Sequence, residues 1–295
     1  TRLIQLPGLD STQRNDLEQE ILLALLASPI PMAFPNVPEL LANIHMRAHI
    51  SMAGRRTELN FDTNAAERPE DCWREDPDNG FVVRAGSSLI EALTKATQPE
   101  LSGQRYSFSC YRATEYIILL GIAQEMAVCN PPLYAQLQAR CERHVIRSGQ
   151  FHDVFLHEYG TQEAPIPTHY YIPGDRVWFR NPDAQSSDVI GFEGSWVLYL
   201  GGGLFTNLWQ RNQPYTLADK CLEIFHWRDG AYQDASGEWL MDESIVKRKM
   251  QETRLEPEQH QQILAEMMTW RAPKGVYNQG GCIDTTREGP RWICP

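Results

Sequence analysis

One stretch constrains what this chain can fold into: Tyr106-Ser-Phe-Ser-Cys110-Tyr-Arg-Ala-Thr-Glu-Tyr-Ile-Ile-Leu-Leu-Gly121. A short aromatic strand or turn runs into a cysteine. An almost wholly apolar helix starts there, with Ala113, Tyr116, Ile117, Leu120 and Gly121 at helical spacing. A thiol in the first turn of a buried helix sits at the positive end of the macrodipole, which favours thiolate. The thiolate is the attacking species of cysteine enzymes, so Cys110 is a candidate nucleophile. The competing reading is an inert core cysteine, the commonest fate of a free one.

Composition narrows the partners. At 42% hydrophobic over 295 residues the chain can bury a large core. A net charge of -11 without a basic block argues against nucleic acid or an anionic membrane surface. No apolar run is long enough to span a membrane. The start, Thr1-Arg-Leu-Ile-Gln-Leu-Pro-Gly, lacks Met and a signal-peptide pattern, so the sequence is expected to begin inside a longer protein. The expected setting is a reduced cytoplasm, or delivery out of the cell as a domain of an effector.

Seven cysteines include no CxxC and no Cys/His spacing suited to structural zinc. Cys282 and Cys294, flanking a Gly/Pro/Arg-rich tail, are candidates to bridge each other under oxidising conditions. His45 and His49 stand four apart on a helix, yet neither a neighbouring glutamate nor a third ligand accompanies them, so no metal is expected. Gly201-Gly-Gly203 lacks the Lys-Ser/Thr of a phosphate cradle and reads as a turn; no cofactor is implied.

In order, Ser11 caps a helix reaching Ala27, and a second helix covers about Val37 to Met52. A polar connection follows, then a strand near Gly80–Arg84 and a helix capped by Ser87 or Ser88. Beyond the Cys110 helix, Pro131-Pro132 opens another. From there the pattern turns to strands: Asp153–Tyr159, His169–Ile172, Asp175–Arg180, Gly194–Leu200 and Leu204–Trp209. Helices follow from Thr216 to Trp227, Ile245 to Glu252 and Pro257 to Trp270, and the tail from Pro273 reads as irregular. The class is α+β, with a nucleophile helix packed on an antiparallel sheet in the papain-like manner.

The motifs resemble the small bacterial spore-coat protein-glutamine gamma-glutamyltransferases, whose fold is NlpC/P60-like and hence papain-like. The family's Phe/Tyr-x-Phe-x-Cys-Ala-Thr-Ala is similar to Tyr106-Ser-Phe-Ser-Cys110-Tyr-Arg-Ala. Its Leu-Gly-Asp-Cys-x-Tyr-Phe-Lys-Asn-Pro is similar to Pro173-Gly-Asp-Arg-Val-Trp-Phe-Arg-Asn-Pro182, and its Gly-Glu-Asn-Val-Ile-x-Leu-Gly strand to Phe192–Gly201. The resemblance covers roughly residues 10 to 210, which sets a catalytic core at 1–210 and a helical extension at 211–295 packed on it. Three positions depart from the family. Ser109 stands where the family has a glutamate before the cysteine, and Asn207 where it has a histidine. A gap-free alignment puts Ser195 where the strand's glutamate belongs, although Glu193 is the carboxylate nearby.

The implied reaction is attack of Cys110 on a protein glutamine amide, loss of ammonia, and transfer of the thioester to a lysine amine. Water as acceptor gives deamidation instead. Glu193 is the expected proton partner, provided burial raises its pKa. His226, near the C-terminal end of its helix, is the second candidate base. Asn207 is expected to orient a histidine or donate to the oxyanion, with the Cys110 backbone N–H also donating; His169 is expected to be structural. A deamidase, or a papain-like peptidase or amidase, is the near alternative. An inactive binding module is the alternative of another class.

Overall fold

The structure is a computed structural model and describes residues 8–62, 66–76, 80–273 and 280–294. The N-terminal start and part of the tail discussed above lie outside the described residues. The first half runs α1 (Arg14–Leu26), α2 (Val37–Arg56), β1 (Asn60–Phe61), β2 (Trp73–Asp76), β3 (Gly80–Val83), α3 (Leu89–Thr97), α4 (Pro99–Ser102), β4 (Ser107–Phe108) and α5 (Cys110–Cys129). Next come α6 (Pro131–Cys141), α7 (Ser148–Phe155), β5 (Leu156–Tyr159), β6 (Arg176–Arg180), β7 (Gly194–Gly201), β8 (Leu204–Phe205) and β9 (Tyr215–Thr216). The chain continues with α8 (Leu217–Gly230), β10 (Ala231–Gln233), β11 (Trp239–Met241), α9 (Glu243–Arg254), α10 (Pro257–Met267) and β12 (Arg287–Pro290).

The class is mixed α/β. The main sheet is antiparallel in the order β5-β12-β6-β7-β8-β9. Its two faces are covered by different helices, as strand alternation dictates. Leu198 of β7 packs with α2 and α5, whereas Val197 and Tyr199 pack with α8, α9 and α10. The apolar α5 is the most enclosed element: Ile117, Leu120 and Ala123 are fully buried. Gly121 lets α2 approach it, since a Cβ there would lie 2.8 Å from the Ile50 backbone nitrogen.

A buried polar anchor joins the start of β6 to α2. Arg47 donates to Asp175 at 2.7 Å, the Ile172 N–H donates to the same carboxylate at 2.8 Å, and the Tyr159 hydroxyl donates to it as well. The turn before Asp175 needs Gly174, whose φ is +86° and whose Cβ would meet Arg47 Cα at 2.8 Å. The Gly-Asp pair read in the sequence is therefore structural.

Several sequence expectations change. Ser11 does not cap α1, which begins at Arg14; its hydroxyl accepts from Arg55 at 2.9 Å. Residues 153–155 are the end of a helix, and only Leu156–Tyr159 is strand. His169–Ile172 is no strand, because its chain turns to place the Ile172 N–H on Asp175. The strand expected over Leu204–Trp209 is β8 and stops at Phe205. The tail is not wholly irregular, since β12 inserts between β5 and β6. The sequence reading divides the chain at residue 210, yet this strand of the later segment lies inside the main sheet. Cys282 does not face Cys294: its sulfur lies 3.4 Å from that of Cys221, while Cys294 lies beside Cys129. All seven thiols are free.

Candidate active site

Cys110 is the first residue of α5, and Ser109 caps the helix by accepting the Arg112 N–H at 3.3 Å. Parallel pairing of β4 with β1 delivers the chain to this point, with Phe108 buried opposite Phe61. The helix start is thus fixed by a cap on one side and a strand pair on the other.

The half-buried Cys110 opens on a cavity of about 380 Å³. Phe61, Phe192, Trp209 and Trp227 supply aromatic wall, while α8 and α9 close the side opposite α5. Trp209 and Phe192 both pack edge-on against Phe61. β8 pairs with β7 only at Tyr199 and Gly201, so the start of β7 is free on that side. The Trp196 N–H lies on this stretch and favours the charged form of the Cys110 thiol.

Burial pushes the Cys110 thiol up from its ordinary range. The backbone N–H groups of Trp196 and Tyr111 and the Lys220 ammonium act against that rise, and the Glu193 carboxylate adds to it. The helix start alone therefore does not leave Cys110 as a resting thiolate.

The proton partners expected from sequence are placed unevenly. Glu193 lies near enough for its charge to act on the sulfur, but it is exposed. Its carboxylate accepts the Gly191 N–H at 3.2 Å, and the burial that its role as a base requires is absent. Asn207 borders the cavity, yet its side chain is engaged locally. It donates to Gln213 O at 3.0 Å and accepts from the Trp209 and Gln210 N–H groups, shaping the loop that carries Trp209. His226 is not brought to Cys110. It is buried between helices, with Nδ1 2.6 Å from Asp229 and Nε2 2.8 Å from the Thr253 hydroxyl. Nε2 ties α8 to Thr253 of α9, Nδ1 is held by Asp229 within α8, and neither nitrogen faces the thiol.

Sequence reasoning missed Lys220. It projects from α8 into the cavity, 2.6 Å from Glu223 and 3.4 Å from the Ser195 hydroxyl, over the Tyr215 ring. A signal was present: Leu217, Cys221 and Ile224 form the buried stripe of α8, and Lys220 falls on that stripe. Ser195, on the α8 face of β7, occupies the glutamate position of the gap-free alignment and borders the cavity.

Other groupings are already satisfied. Among the described residues, His152, Glu158 and Glu288 bring potential metal-ligand atoms within 4.8 Å of one another. His152 and Arg176 both pair with Glu288, so that carboxylate is engaged within the protein. His45 and His49 flank Glu125 at 3.1 and 3.7 Å. No helix among the described residues is long and apolar enough to cross a membrane.

Comparison with known proteins bears on the fold and the family. A solved structure, the transglutaminase from Geobacillus stearothermophilus without its C-terminal extension, aligns with a TM-score of 0.51 at 19% identity. The alignment covers 72% of this chain and 98% of that one, a likeness of fold. No curated protein matches in sequence. The model of the protein-glutamine gamma-glutamyltransferase family matches residues 4–280. On that extent the chain belongs to the protein-glutamine gamma-glutamyltransferase family and is a transferase acting on protein substrates.

Proposed function

We propose that Cys110 is the nucleophile of this transferase, working at the head of α5 in a papain-like arrangement. Its thiolate attacks the side-chain amide carbon of a protein glutamine. Backbone N–H groups at the start of α5 face the developing oxyanion, where the helix dipole adds to their effect. Ammonia leaves, and the thioester passes to a lysine amine, giving an isopeptide crosslink; water in the amine's place gives glutamate. The aromatic wall suits the aliphatic stems of glutamine and lysine and keeps bulk water from the thioester. In this reading the segment after residue 210 belongs to the catalytic unit, because α8 and α9 form one side of the cleft. The observation that carries the reading is the placement of Cys110, capped and half-buried, at the floor of that cavity.

The test incubates a glutamine-containing protein with a primary amine and follows its mass. Amine incorporation marks transfer, and conversion of amide to acid marks deamidation. Cys110→Ala is expected to lower either rate by on the order of 10⁴ or more. Activity surviving in that variant overturns the assignment.

A further inference from the structure

We propose that Lys220 is the proton partner of Cys110, giving a proton to the departing ammonia and taking one back from the attacking amine. The inference rests on Cys110 being the nucleophile. Three observations carry it. Cys110 and Lys220 border the same cavity. The two meet at neighbouring residues of β7: the Trp196 N–H favours the charged form of the thiol, and the adjacent Ser195 hydroxyl lies 3.4 Å from the Lys220 amine. Lys220 is also held in place, its side chain only 5% exposed, against the Glu223 carboxylate and the Tyr215 ring. A buried lysine on an apolar helix stripe loses its hydration, so its position requires compensation. Glu223 and Tyr215 provide that.

The chemistry balances without another reactant. The Cys110 thiol proton passes to a neutral Lys220 amine, attack by the resulting thiolate forms the C–S bond, and the C–N bond breaks as the Lys220 ammonium transfers that proton to the leaving nitrogen. Neutral ammonia departs, leaving a thioester and a neutral Lys220 amine. The acceptor amine then attacks the thioester, Lys220 takes its proton, and the thiolate is released. Lysine serves as a base in other hydrolytic sites when a carboxylate or histidine is missing. Here Glu193 is exposed and both ring nitrogens of His226 are engaged away from the thiol.

Charged groups around the thiol come from several elements. Glu193 precedes β7, Asp219 and Glu223 lie on α8 with Lys220, and α9 adds Glu243, Lys247 and Arg254. Arg254 is paired with Asp219 at 2.7 Å, and Lys220 is the cation whose charge acts on the sulfur.

Two rates on the full chain test the proposal: alkylation of Cys110 by iodoacetamide across pH, mapped to its peptide, and amine incorporation into a glutamine protein. Lys220→Met is expected to slow Cys110 alkylation at mildly alkaline pH about tenfold, the effect of one pKa unit. The same variant is expected to lose about 10²-fold or more in transfer. Lys220→Arg keeps the charge but does not release a proton. It should keep alkylation within about threefold of wild type, well inside the tenfold of one pKa unit, while transfer stays low; the preserved alkylation also reports an intact cleft. Wild-type transfer in Lys220→Met overturns the proposal, and so does restored transfer in Lys220→Arg, which would reduce Lys220 to a fixed charge. Transfer persisting in Cys110→Ala points instead to failure of the nucleophile assignment.

Discussion

The two sides of the cleft are held by different means. The α5 side rests on apolar packing and one deeply buried charge cluster: α2 against α5 at Gly121, and Arg47 with Asp175 locking β6 to α2. The α8 side has an apolar core of its own, with Leu217, Cys221 and Ile224 packed on β7, and adds several separate polar links: the Thr216–Asp219 capping box, the His226 bridge between Asp229 and Thr253, and the Lys220–Glu223 pair. The thiol sits on the first side, where packing fixes its position to within small displacements. The cation sits on the second, where removable hydrogen bonds set its aim. A nucleophile needs a rigid seat, whereas a proton carrier must serve two steps; the contrast matches those demands.

Substitutions on each side test this contrast. Asp175→Ala should have the largest effect on stability, because it leaves the Arg47 guanidinium buried without its partner. The expected loss is about 3–5 kcal/mol, read as a lower urea midpoint. Wild-type stability in that variant would mean the α5 side is not pinned by its charge cluster. Next, His226→Ala removes both ring hydrogen bonds and should cost about 1–3 kcal/mol. Transfer measured below the unfolding transition should stay within a few-fold of wild type, since neither ring nitrogen faces Cys110. A rate loss near 10² without a stability change would instead place His226 in the chemistry. Thr216→Ala should have the smallest effect, about 1 kcal/mol, from loss of the capping box. Hydrogen exchange should locate the loss in the first turn of α8; faster exchange spread across α5 would show that the two sides unfold as one.

Legibility in the sequence followed the range of the interactions involved. The Cys110 helix was readable because its cap, its apolar face and its thiol lie within one local pattern. The strands β6 and β7 were readable from β-branched and aromatic residues between turns. β12 was not, since Arg-Glu-Gly-Pro has no strand composition and pairs only because β5 and β6 leave a gap for it. The α7 segment was read as strand because Val154, Phe155 and Leu156 are all apolar, yet the first two end a helix. Within the site, Cys110 declared itself through helix position, whereas the place of Lys220 on the apolar stripe of α8 hints at burial but not at a role. Its partners, Ser195 and Tyr215, are distant in the chain or in the element before the helix, and only folding assembles them. His226 misled for the opposite reason: a histidine near a helix end is conspicuous, and here it fastens helices together.

The insertion of β12 between β5 and β6 also bears on when activity can begin during synthesis. Domains form as their segments emerge, amino-terminal parts first, and pairings distant in sequence close slowly. Until residues 287–290 are free, β5 has no neighbour and the sheet behind the Cys110 cleft is incomplete. A nascent chain carrying a reactive thiol would thus remain unassembled beside its own exposed glutamines and lysines. Translation order itself then holds back crosslinking until the β12 segment has emerged.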